Sequence, residues 1–210
     1  MGTSERKKRE KRKRRDDIID AAEKVFFSKG FESTTMDDIA VQSELSKGTL
    51  YLYFKSKEDL HLAVAMRSIS ILNWLTEGIA IEAHNAIQKL KTLGHTFISF
   101  AKQYPGHLQS ILHVERLDFR QLSLSKNDLK HVIFSETPVK MVMELVEQGV
   151  SEGIIRKDIS PGIIANMLWT QMLGLFQFVN SQKGLFEMVE LTEDELFENY
   201  MELVLSGVKS

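Results

Sequence analysis

The chain has 210 residues, 43% of them apolar and 27% charged, and a net charge of −2; this is globular make-up, long enough to bury a core. It contains no cysteine, which excludes disulfide scaffolds, thiolate nucleophiles, zinc fingers and iron–sulfur ligation. No apolar run approaches the roughly 18 residues of a membrane span, and the charged N-terminus has no apolar stretch behind it, so the expected setting is the cytoplasm with no membrane partner. Three prolines and few β-branched runs predict an all-α fold.

Charge is unevenly spread. Residues 1–15 carry nine Lys/Arg against Glu5 and Glu10, whereas residues 61–210 carry 13 basic and 17 acidic side chains. A basic arm on an acidic body suits nucleic-acid contact, beside the plainer reading of a solvated tail. The first helix is predicted from Asp16, with Ile18, Ala22, Val25 and Phe26 on one face and Gly30 as its stop. Thr35 before Asp38 forms a capping-box variant ahead of Ile39. Ser46-Lys47-Gly48-Thr49 opens a second short helix through Phe54, and Ser56-Lys57-Glu58-Asp59 starts a third. Two-turn helices are unstable alone, so the inner pair must pack on the first, giving a helix-turn-helix over about 36–55.

The fourth helix reads Leu60, Val64, Arg67, Ile71, Trp74/Leu75 and is predicted to reach the low eighties. A new pattern runs from Asn85 to Pro105, a shorter helix opens at Pro105-Gly106, and Leu117–Ser125 reads as a loop. The next helix spans about 126–152, kinked or split at Pro138. Ser160-Pro161 opens a helix to about 181 with two apolar stripes, one through Ile164, Leu168, Met172, Leu175 and Val179 and one through Ile163, Met167, Thr170, Gly174 and Phe178; such a helix is buried on both sides. Thr192 caps a last helix with Phe197, Tyr200/Met201, Val204 and Val208 in phase.

The segment Thr34–Leu60, and above all SKGTLYLYFKSKEDL, resembles the DNA-binding domain of the TetR family of bacterial transcriptional regulators. The resemblance is sharp over about residues 14–65. It implies a three-helix helix-turn-helix domain (16–61) behind the basic arm (1–15), joined by a long helix to an effector-binding and dimerisation domain (62–210). It implies DNA contacts from Thr35, Lys47, Thr49, Tyr51, Tyr53 and Lys57. Ser46, Gly48 and Lys55 join them on physical grounds: a helix front suits phosphate, and Lys47 and Lys55 flank the two phenols. Thr49 and Tyr53 are the expected base-edge contacts; Thr35, Lys47, Tyr51 and Lys57 the phosphate contacts. One departure stands out, Glu44, where the family's turn commonly has Gly; a Glu at positive φ costs about 1 kcal/mol.

The resemblance further implies a repressor that binds a near-palindromic operator as a homodimer and is released by a small hydrophobic or amphipathic effector. An activator, or a member without a ligand, stays open. A helical enzyme or carrier is the rival class, but the six scattered histidines have no metal-ligand spacing, and no nucleophile elbow, phosphate loop or dinucleotide fingerprint occurs. Neither catalysis nor a cofactor is expected. The candidate pocket comprises Trp74, Phe97, Phe100, His113, Arg116, Met143, Trp169, Met172 and Phe176, since flat rings and adaptable Met suit an apolar cavity. Asn166, Gln171, His113, Arg116 and Arg120 are the groups expected to orient a ligand, the two arginines by meeting a carboxylate or phosphate. The dimer face is expected from Met167, Thr170, Gly174 and Phe178, paired with Phe197, Met201 and Val204 in a four-helix interface.

Overall fold

The computed structural model describes residues 3–81, 84–114, 122–123, 138–181 and 192–210. Among them are nine α-helices and no strand: α1 (Thr3–Lys29), α2 (Met36–Gln42), α3 (Lys47–Tyr53), α4 (Lys57–Thr76), α5 (Ala86–Gln103), α6 (Pro105–Val114), α7 (Pro138–Ser151), α8 (Pro161–Ser181) and α9 (Glu193–Gly207). A 3-10 turn at Ile79–Ile81 follows α4, so the fourth helix ends short of the low eighties. The chain divides into two compact units, Met1–Ser68 with Tyr104–Lys126, and Ile69–Gln103 with Asn127–Ser210. This cut differs from the expected boundary at 61/62, because α6 packs on α1.

In the first unit, Ile18, Ala22 and Phe26 of α1, Ile39 of α2, Leu50 of α3 and Leu60 and Val64 of α4 form one buried cluster. Each comes from the apolar stripe of its own helix, so the two seven-residue helices are held by packing rather than by propensity. Arg67 of α4 adds ion pairs to Asp20 (2.5 Å) and Glu23 (3.4 Å) on α1. The basic arm is not separate from the first helix: α1 begins at Thr3, thirteen residues before the expected start. Lys, Arg and Glu are good helix formers, and neither Gly nor Pro interrupts them after Gly2. Arg6 and Glu10 pair at 2.8 Å, one turn apart.

In the second unit, Asn85 and Gln88 cap α5 reciprocally, each side chain accepting the other's backbone N–H. Pro138 and Pro161 are the first residues of α7 and α8, where a missing N–H costs nothing. The expected helix before Pro138 lies outside the described residues. Thr192 and Glu195 form a full capping box on α9. An antiparallel bridge, Ile155 with Lys209, ties the turn after α7 to the end of the chain.

Helix α8 is long and apolar enough to cross a membrane by length and composition, which the absence of a continuous apolar run had argued against. Its buried stripe explains it otherwise: Ile164, Met172 and Val179 face the core of the unit, while Ile163, Met167 and Phe178 are exposed on the opposite side.

The helix-turn-helix and the apolar cavity

Thr35 starts α2. Its hydroxyl accepts the Asp38 N–H (3.1 Å), and the Asp38 carboxylate accepts the Thr35 N–H (2.9 Å). Lys29 adds a 2.6 Å contact to the same carboxylate; that hydrogen bond, with those from Thr35, holds the Asp38 pKa down to about 2. The end of α2 is a Schellman turn: the Leu45 N–H reaches the Ala40 carbonyl and the Glu44 N–H the Val41 carbonyl, at 3.0 and 3.1 Å. This turn needs a left-handed residue, and Glu44 supplies it at φ 55°. Among the described residues it is the one non-glycine at positive φ, so the departure from Gly is met by strain and not by a different turn.

Ser46 then caps α3, accepting the Thr49 N–H at 3.2 Å, with the two hydroxyls 2.8 Å apart. Leu50 and Phe54 fasten the helix to the core and Tyr53 packs on its edge. That anchoring leaves Lys47, Gly48, Tyr51 and Leu52 on the outer face. Lys47 pairs with Asp37 at 2.9 Å, which holds the ammonium pKa above its ordinary value. Lys55 donates to the Tyr51 carbonyl at 3.1 Å. Lys57 donates to the Phe31 carbonyl at 2.9 Å and lies 4.2 Å from the centre of the Phe31 ring, tying α4 to the loop after α1. Arg15 stacks 4.9 Å from Phe54, at the end of α3.

The nine expected DNA residues therefore share one region but divide in their surroundings. Lys47, Gly48, Tyr51 and Lys55 are exposed. The hydroxyls of Thr35, Ser46 and Thr49 serve the helix caps, Tyr53 is half-buried, and Lys57 holds the scaffold together. Leu52, not among the expected DNA residues, stands on the same outer face, because the phase set by the buried Leu50 turns it outward.

The second unit holds an apolar cavity of about 60 Å³. Phe97, Trp169 and Met172 line it, as the sequence suggests, together with Leu93, Leu168, Tyr200, Met201 and Val204. Among the described residues, no charged side chain lines it. Tyr200 turns its hydroxyl to the Leu168 carbonyl at 3.4 Å, and burial pushes its pKa up to about 12. A Cβ at Gly94 would collide with Sδ and Cε of Met201, so the glycine lets the methionine lie against α5.

Several expected pocket residues lie elsewhere. Trp74 is 70% exposed, since the buried line of α4 runs through Ser68, Leu72 and Thr76 instead. The Ser68 and Thr76 hydroxyls return to the carbonyls of Val64 and Leu72, which makes polar residues acceptable there. Phe100 and Phe176 are sealed core, Phe176 packing on Phe97 and Phe197 with ring centres 5.1 and 4.5 Å apart. Met143 is half-buried beside Gly162 and outside the lining. His113 belongs to the first unit, 4.2 and 4.7 Å from the ring centres of Phe31 and His61. Asn166 and Gln171 face outward, and Arg116 and Arg120 lie outside the described residues.

The expected dimer face also needs correction. Met167, Thr170, Gly174 and Phe178 are exposed along one side of α8, and open space surrounds Gly174. Phe197 and Met201, however, are buried, and Val204 lines the cavity. The periodic stripe of α9 is its core stripe, and Leu203 is the apolar residue on the outer side.

Residues 18–64 match the family model of bacterial regulatory proteins, tetR family. The transcriptional regulator QacR of Staphylococcus aureus is 42% identical over 132 residues, which cover 58% of this chain and 69% of QacR. The fatty acid metabolism regulator protein of Bacillus subtilis is 25% identical over 207 residues, 95% of this chain and 98% of that protein. In fold, the Bacillus subtilis regulator FadR in complex with stearoyl-CoA superposes with a TM-score of 0.67 at 22% identity, over 91% of this chain and 98% of that one. With its capped helix-turn-helix, the helices of its second unit and these relatives, the chain belongs to the TetR family and is a DNA-binding transcriptional regulator.

Proposed function

We propose that the protein is a cytoplasmic repressor without catalytic activity, in which two copies hold a near-palindromic operator and release it when a neutral apolar molecule, or the apolar part of an amphipathic one, enters the cavity. The cavity wall carries this reading. Among the described residues its lining is aliphatic, aromatic and thioether, with a phenol and an indole as the polar side-chain groups, a wall that favours hydrocarbon over a buried anion. At about 60 Å³ it exceeds the space one water needs but falls short of a long chain. A larger ligand must displace Met172 and Met201, the most adaptable side chains of the wall. The naming of a fatty-acid regulator and of a stearoyl-CoA complex among the similar proteins supports a chain-like occupant whose charged end stays outside. DNA binding falls to the 16–61 segment within the first unit, and sensing and dimerisation to the part of 62–210 that forms the second; Met167, Thr170, Gly174 and Phe178, with Leu203 added, form the self-association face.

Release requires that the ligand favour a state in which the two α3 helices no longer fit their half-sites. The test titrates saturated fatty acids, their coenzyme A thioesters and a lipophilic cation against full-length protein. Melting temperature and operator anisotropy are read together, in wild type and in Leu168→Trp, which fills the cavity. One class should raise the melting temperature and weaken operator binding in wild type and do neither in the variant. A compound that stabilises both proteins equally, or that leaves operator affinity unchanged, contradicts the proposal.

A further inference from the structure

Leu52 is 73% exposed on α3, while Leu50 two residues earlier is fully buried. A lone exposed leucine needs no explanation on an ordinary surface. This one stands on the face turned away from the core, continuous with Lys47, Gly48 and Tyr51. One turn before it lies Gly48, whose missing side chain leaves open space but for the Ser46 hydroxyl, 3.9 Å from where a Cβ would sit. The two residues four apart share a face, so no side chain at position 48 screens Leu52, and a base edge can approach it from that side.

The polar groups nearby each have a partner within the helix-turn-helix. Lys47 is paired with Asp37, Lys55 with the Tyr51 carbonyl, Thr49 with Ser46 and Thr35 with Asp38. Beside the exposed Lys47 and the Tyr51 phenol, α3 offers outward one branched aliphatic group. In the major groove each base pair presents hydrogen-bonding edges, and the apolar group among them is the C5-methyl of thymine. We propose that Leu52 reads thymine methyl groups in each operator half-site and sets part of its sequence preference. This rests on the DNA-binding reading above and names a residue and base for it.

The experiment first selects preferred duplexes from a random library with the full-length protein. Each thymine of the best duplex is then replaced by deoxyuridine, which lacks only the methyl, and affinities are measured for wild type, Leu52→Ala and Leu52→Met. At one or more thymines per half-site the exchange should weaken wild type by about fourfold, the worth of one buried methyl. It should leave Leu52→Ala unaffected, and Leu52→Met, which keeps the reach, should regain sensitivity. Circular dichroism and the salt slope on unrelated DNA should match across the three proteins, since Leu52 is exposed. Equal losses in wild type and Leu52→Ala, or no thymine that responds, overturn the assignment while leaving DNA binding intact. Loss of self-association in Leu52→Ala without any change in thymine sensitivity assigns the face to a second copy and overturns it too. A library that yields no preferred sequence overturns the DNA reading itself, and this inference with it.

Discussion

Helices α2 and α3 have seven residues each and are closed at their ends by groups within a few positions: Thr35 with Asp38, Ala40 with Leu45, Ser46 with Thr49. The helices of the second unit run from 14 to 21 residues. They are joined by bonds across wide sequence gaps, such as the Ala86 N–H to Glu152 and Lys89 to Gln148. The first unit is a filled core under a surface of fixed geometry, which suits presentation of one helix to a groove. The second keeps a hole walled by Met and aromatic rings, which suits a change of shape. Rigidity and adaptability are thus assigned to different parts of the chain.

The largest test of that division is acid. His61 is 2% exposed, packed edge-on against Phe26, Phe31 and His113, and its Nδ1 has no hydrogen-bond partner among the described residues. Burial first, then the neighbouring His113 and Lys57, pushes its pKa down to about 3. The unfolded chain takes up the proton below about 6.5 and the folded one does not until about 3, so stability is full above neutral pH and falls as pH drops through that window. By pH 5 the loss is about 2 kcal/mol. Both tryptophans, Trp74 and Trp169, lie in the second unit, so helix loss by circular dichroism at pH 5 should precede any change in tryptophan emission. His61→Phe should remove the difference; emission that moves first assigns the weak point to the wrong unit.

Next in size is the basic arm. Deleting residues 2–13 should cost about tenfold in operator affinity at low salt and flatten the salt dependence, because up to seven cations no longer displace counterions. Glu10→Pro keeps every cation but breaks the helix, and should weaken binding relative to Glu10→Ala if the helical form of α1 positions the charge. Equal affinities for full-length and shortened protein leave the arm a solvated extension. The smallest effect is at Glu44: Glu44→Gly should stabilise the first unit by about 1 kcal/mol, read by denaturant unfolding, since glycine takes the left-handed turn without strain. A destabilised variant means the turn is held by the Glu44 side chain instead.

The same contrast explains what was legible from sequence. Thr35, Ser46 and the Glu44 turn are contiguous signals whose partners are fixed by spacing, so the helix-turn-helix and its odd residue were readable. The second unit was readable as helices but not as surfaces. A stripe tells which face is apolar and not what covers it. On α9 the stripe of Phe197 and Met201 belongs to the core. On α4 the buried Ser68 and Thr76 hide the true phase, which put Trp74 on the wrong side. His113 joins the first unit because α6 packs on α1, a contact between elements some 80 residues apart that no local pattern announces.

Under the proposed mechanism one equilibrium links the cavity to the operator, and linkage makes it measurable in both directions. With the ligand class identified by melting, its affinity should be determined for free protein and for protein saturated with operator, and operator affinity with and without saturating ligand. Each partner should weaken the other by the same factor, at least about tenfold, and Leu168→Trp should abolish both effects. A ligand that binds the operator-bound and free proteins equally tightly contradicts it.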